Sequence, residues 1–141
     1  MTETSRTLSP LDTIQAVYGA FARADIPSLL DLVDDDVDWA RDIEFPGGEV
    51  VPHLRHGIGK AVATAYFEAV GSGMEIHKFA PRTFAVSGDD VLVVLDVEVT
   101  VRATGKRIAF DEVHEFTVRD GRIVRYRPHL DTAQQIAAWT A

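Results

Sequence analysis

The sequence predicts an α+β fold: a strongly curved antiparallel sheet wrapped around three N-terminal helices and enclosing a pocket. Three observations carry that expectation. Apolar residues recur at helical spacing in the first half of the chain and in the last ten residues. Between them lie four long runs that alternate apolar and polar residues, separated by turn residues. Helices are thus segregated from strands along the chain, the hallmark of an α+β arrangement. A long twisted sheet that curls over helices leaves a concave, mostly apolar space, the usual shape of a small-molecule site.

A chain of 141 residues has room for one core, so a single domain is expected over residues 9–141 behind a polar tail at 1–8. The net charge of −8 argues against nucleic acid, whose binding rests on basic patches, and against anionic membrane surfaces. No cysteine is present, which excludes disulfides and thiolate chemistry and fits a reducing compartment. No apolar run approaches the roughly 20 residues that span a bilayer. The tail lacks the apolar core of a signal peptide. A cytoplasmic protein is the expectation.

The first helix opens at Ser9-Pro10, with Ser as N-cap and Pro at the first helical position. Leu11, Ile14, Val17, Tyr18 and Phe21 then form one apolar stripe. Tyr18 is read either as a core aromatic or as a polar handle on an apolar wall, since a buried hydroxyl needs a partner. Asp25 caps a second, short helix that carries Leu29, Leu30, Leu32 and Val33. The acidic run Asp34-Asp35-Asp36 reads as a solvated helix-to-strand turn rather than a metal site. Residues 37–41 form a short strand with Val37, Trp39 and Arg41 on one face, which makes Arg41 a mouth residue or a pocket cation. Residues 42–56, with Pro46, Gly47, Gly48 and Pro52, form a loop, and loops beside pockets often carry specificity. His53 and His56 have H-x-x-H spacing, but a zinc site needs three or four rigidly held ligands and no third is evident. A lid is the expected role. Residues 57–70 form the third helix, with Ile58, Val62, Ala65, Tyr66, Ala69 and Val70 buried and Gly71 as C-cap.

The four strands fall at about 75–86, 91–102, 106–118 and 122–130. In the second, one face is purely apolar, and the other (Leu92, Val94, Asp96, Glu98, Thr100, Arg102) starts apolar and turns polar. That second face suits a partly covered surface or a dimer interface. The third and fourth strands meet at Asp120-Gly121, a strong hairpin signal. One face of the third carries Ile108, Phe110, Glu112, His114, Phe116 and Val118, so two ionisable groups sit in the middle of an apolar face. In the fourth strand Val124, Tyr126, Pro128 and Leu130 form the inward set, with Arg122, Arg125, Arg127 and His129 elsewhere. Asp131 caps a last helix ending near Trp139.

Glu112 and His114 are two residues apart on one strand, roughly 6.6 Å between Cα atoms, so both reach into one space. A buried charge without a partner costs several kcal/mol. Three readings stay open: a mutually satisfied buried pair, a register slip that leaves both wet, or a pocket in which they move protons. Phe21, Trp39, Tyr66, Phe110, Phe116, Tyr126 and Leu130 are the expected ligand-binding lining.

The stretches Tyr18-Gly19-Ala20-Phe21-Ala22-Arg23-Ala24-Asp25-Ile26, 32–39, 57–70 and 115–131 together resemble the nuclear transport factor two-like superfamily, in the branch of SnoaL-like polyketide cyclases and ketosteroid isomerase-like proteins. The resemblance runs from about residue 10 to residue 139. It implies a cone-shaped fold around a hydrophobic ligand pocket, and a homodimer. It puts Tyr18 where ketosteroid isomerases keep the tyrosine of their oxyanion hole, and His114 where they keep a protonated aspartic acid. A histidine can also donate there, so a donor pair survives. Their catalytic aspartate falls on Arg41, which cannot be a general base at neutral pH. Asp42 and Asp38 belong to the opposite face by parity. Glu112 is left as the candidate base, with Arg41 holding it ionised or binding an anionic part of the ligand.

The chain therefore reads as a cofactor-independent acid–base enzyme, an isomerase or polyketide-cyclase-like protein acting on a small hydrophobic carbonyl compound, with Tyr18, Glu112, His114 and Arg41 as its catalytic set and no metal. The alternatives are a non-catalytic small-molecule binding protein of the same fold, and an epoxide hydrolase or dehydratase.

Overall fold

The computed structural model describes residues 8–141, so the expected tail lies outside the described residues except for Leu8. Helix α1 (Pro10–Ala22) begins where the Ser9 hydroxyl accepts from the Asp12 amide, 3.1 Å away. Asp25 caps α2 (Ile26–Leu30) in the same way through the Ser28 amide. Strand β1 (Val33–Trp39) starts earlier than expected, so Val33 belongs to the sheet and not to the helix. The acidic run is inside this strand rather than in a turn, with Asp35 and Asp36 exposed. Residues 57–58 also leave the helix expected for them. They form β2 (Gly57–Ile58), which pairs antiparallel with β1 through Asp38 and Trp39 and leaves Ile58 exposed. Helix α3 (Lys60–Gly73) follows and buries Ala63, Ala69 and Val70.

Strands β3 (Met74–Ser87), β4 (Asp90–Val101), β5 (Arg107–Arg119) and β6 (Arg122–His129) form a meander, and α4 (Thr132–Trp139) closes the chain behind an Asp131 cap. The six strands make one curved, unclosed sheet in the order β2-β1-β6-β5-β4-β3, with β1 and β6 parallel and every other pair antiparallel. This is the α+β architecture expected from the sequence. Edge strand β3 carries two register shifts, at Ile76/Lys78 and Pro81/Thr83.

The inner face of β4, Val91 to Val101 at every second residue, is at most 4 % exposed and forms the floor of the core. Its register with β5 is unbroken from Asp90↔Thr117 to Thr100↔Arg107, so inward residues of the two strands face each other throughout. Between β5 and β6 the register shifts. Thr117 pairs with Arg125 but Val118 pairs with Ile123, which leaves Val124 out of the ladder. Ile123, 1 % exposed, therefore takes the core position expected of Val124. On the outer face Arg82 ties Asp96 to Asp111, Arg107 bonds Glu98, and His129 bonds Glu115. Among the described residues no helix is long and apolar enough to cross a membrane.

Candidate active site

A cavity lies between the concave face of the sheet and helices α1 and α3. The space inside it, counted together with the open solvent at its mouth, is ≈ 720 Å³. Tyr18 enters from α1, Tyr66 and Phe67 from α3, Trp39 from the end of β1, Phe110, Glu112, His114 and Phe116 from β5, and Tyr126 from β6. Phe21 and Phe79 meet on another wall, with ring centroids 4.7 Å apart and planes tilted by 45°. All three tyrosines of the chain line this one space.

Three of the polar groups are joined. The Tyr18 hydroxyl is 2.6 Å from His114 Nδ1, and His114 Nε2 is 3.0 Å from Glu112 Oε2. Glu112 is 8 % exposed and His114 4 %, so this carboxylate is desolvated and has the imidazole as its partner. A buried ion without such a bond would cost several kcal/mol. With Glu112 ionised, Nε2 must carry the proton that bonds it. Nδ1 then holds a lone pair and accepts the Tyr18 O–H. The order hydroxyl, imidazole, carboxylate is that of a catalytic triad, with a phenol at the tip. Burial holds the Tyr18 phenol well above its ordinary pKa of 10.0, helped by the charge of Glu112 and by Tyr66. A free phenolate is therefore unavailable unless its proton moves onto His114.

Arg41 does not join this group. The chain turns at Ala40, whose φ of 48° lies in the left-handed region, and strand alternation ends there. Arg41 consequently points outward, with its side chain 59 % exposed and its Nε 3.5 Å from Asp38 Oδ2. It is neither a pocket cation nor a partner for Glu112. Leu130 does not line the main cavity either. It lines a smaller cleft beside it, with Phe45, Leu54 and Pro128.

A residue with no assigned chemistry at the sequence level takes a place in the wall. His53 is 7 % exposed, and lines both the cavity and the small cleft. Burial drives its pKa from 6.5 down to about 4, with Glu112 and Gln135 opposing more weakly, so it is neutral near neutral pH. The signal was in its loop: Val51 and Leu54 flank His53 and are 0 % and 6 % exposed. An apolar pair in a polar, Gly- and Pro-containing loop turns inward and carries its neighbour with it. His56 is exposed and lines neither the cavity nor the small cleft. Among the described residues no three metal-ligating side chains gather.

The fold has counterparts among known proteins. Residues 14–126 match the family model of the SnoaL-like domain. No curated protein matches the chain by sequence. Among solved structures, a nuclear transport factor two-like protein of unknown function from Burkholderia pseudomallei is 28 % identical, with a TM-score of 0.80 over 94 % of this chain and 98 % of that one. TerC, co-crystallised with polyporic acid, is 27 % identical, with a TM-score of 0.76 over 94 % of this chain and 98 % of its own. A Xanthomonas campestris protein provisionally named a polyketide cyclase shares the fold at 19 % identity, with a TM-score of 0.71 over 93 % and 96 % of the two chains. The chain is a member of the SnoaL-like domain family, within the nuclear transport factor two-like superfamily.

Proposed function

We propose that the protein is a cofactor-independent proton-transfer enzyme of the isomerase or cyclase type, acting on a small hydrophobic carbonyl compound. The carrying observation is the unbroken line from Tyr18 through His114 to Glu112 inside an otherwise apolar cavity. At rest the line points one way, with Tyr18 O–H to Nδ1 and Nε2–H to the carboxylate. A ligand proton that reaches the Tyr18 oxygen sends Tyr18's own proton to Nδ1 and the Nε2 proton to Glu112. Three protons each move one place, and the buried negative charge passes from Glu112 to the ligand. The line then points the other way: Nδ1–H donates to Tyr18, and the Tyr18 O–H donates to the enolate oxygen just formed. Running the steps in reverse at a different carbon gives an isomer. One atom thus serves in turn as base and as oxyanion donor, and each kind of contribution is typically worth ~10²–10³-fold in rate.

The likeness to TerC, which was co-crystallised with polyporic acid, supports a small-molecule ligand in the cavity. The test is hydrogen–deuterium exchange at the α-carbon of hydrophobic cyclic ketones such as 2-tetralone, followed by NMR. Catalysed exchange is expected, and it should fall by ~10²-fold or more in Glu112→Gln, which cannot accept the relayed proton, and in Tyr18→Phe. Exchange that persists at the wild-type rate in Glu112→Gln removes the relay. A ligand that binds tightly, is recovered unchanged and exchanges no proton instead supports the non-catalytic binding protein.

A further inference from the structure

The relay accounts for three polar groups of the cavity. At the side shared with the small cleft, which Glu112 also lines, two further polar atoms have no partner. The Tyr126 hydroxyl and His53 Nδ1 are both buried without a hydrogen bond of normal geometry among the described residues, as are both amide atoms of Gln135, the side chain beside His53. The Tyr126 and His53 side chains are nine-tenths or more buried, at 3 % and 7 % exposure. Both residues line the cavity and the cleft together. Leaving a buried donor or acceptor unpaired costs about 1–3 kcal/mol, and native proteins keep few such groups. The Tyr66 hydroxyl is near enough to Tyr126 to affect its ionisation, yet the two close no hydrogen bond of normal geometry. The Tyr126 ring is 5.3 Å from that of His114, so these two atoms and the relay face one ligand rather than two.

We propose that His53 and Tyr126 form a second polar subsite, which takes a neutral hydroxyl or carbonyl oxygen of a flat hydrophobic ligand whose first oxygen lies on Tyr18. The proposal rests on the functional reading above for that first oxygen. The oxygen it takes is uncharged because no lysine or arginine lines the main cavity, and Glu112 already supplies a negative charge there. Arg55 lines the small cleft but not the main cavity, and it is exposed. The ligand class that results is a flat aromatic compound carrying two neutral oxygen substituents.

Binding of 2-naphthol, 2,6-dihydroxynaphthalene and 6-hydroxy-2-naphthoate, read by quenching of tryptophan fluorescence, tests it without turnover. The second hydroxyl should tighten binding about tenfold in the wild type, and the gain should shrink severalfold in Tyr126→Phe and in His53→Leu. The carboxylate should bind more weakly than the diol. Tyr126→Phe without ligand should keep or raise its melting temperature, because it removes an unpaired hydroxyl. Equal affinity for naphthol and diol, a gain that survives both substitutions, or tighter binding of the carboxylate overturns the subsite. So does a Tyr126→Phe variant that loses stability, which would mean that the hydroxyl is already satisfied within the fold. Separately, Tyr18→Phe should weaken 2-naphthol itself. If it does not, the functional reading fails whatever the second hydroxyl shows.

Discussion

Two kinds of side chain in the cavity set opposite limits on pH. Below neutrality His53 matters. Its folded pKa is pulled down to about 4 by burial, while the unfolded chain titrates near 6.5. Between those values the unfolded state binds the extra proton, so stability is full above about 6.5 and is lost as pH falls through about 4. The two values differ by an amount worth about 3 kcal/mol. Denaturant melts across that window should show a smaller acid loss in His53→Leu than in the wild type, and parallel curves would refute the assignment. Above neutrality the tyrosines matter. Burial raises Tyr18, Tyr66 and Tyr126 above the ordinary 10.0. The unfolded chain gives up these protons first, so stability falls as pH rises past about 10. Near-ultraviolet absorbance should then show phenolate forming only as the fold opens. A tyrosine that titrates normally in the folded protein would contradict the cavity as described.

Among the elements, the segment between β1 and β2 decides whether His53 is held in place. Gly47 sits at φ 80°, and a Cβ there would run into the side chain of Ile136 on α4. Gly47→Ala should cost more than ~1 kcal/mol through backbone strain and the clash, and Ile136→Ala should restore only the steric part. Thermal melts of the single and double variants check this. The same contrast explains what could be read from the residues alone. Strand β5 was legible through its whole length because its ladder with β4 has no bulge, so parity placed Glu112 and His114 on one face. Parity failed wherever the backbone broke period two. At Ala40 one left-handed residue swung Arg41 out to solvent. Between Thr117 and Val118 a register shift exchanged Val124 for Ile123. Neither break has a glycine or proline to announce it. The inward position of His53 is fixed by long-range packing against Trp139 and Tyr66, and the apolar pair Val51 and Leu54 is its one local signal.

At the scale of the whole molecule, the helices cover one face of the sheet and leave the other to solvent. That outer face carries Leu92, 42 % exposed, beside half-buried Val94 and Val113, within a frame of ion pairs. We propose a homodimer through it; sedimentation should give a dimer at micromolar concentration, and a monomer there removes the proposal. The same open sheet has a margin that such pairing leaves uncovered. It stops along all of β3, a row of amides and carbonyls that another chain could zip onto. Pro81 offers no amide, Lys78 and Arg82 add charge, and two kinks keep the row from lying straight. Protection against fibre growth is therefore concentrated in a handful of positions. Pro81→Val combined with Arg82→Thr should make the folded protein self-associate end on end, and light scattering that stays flat over days would show that the guard lies elsewhere.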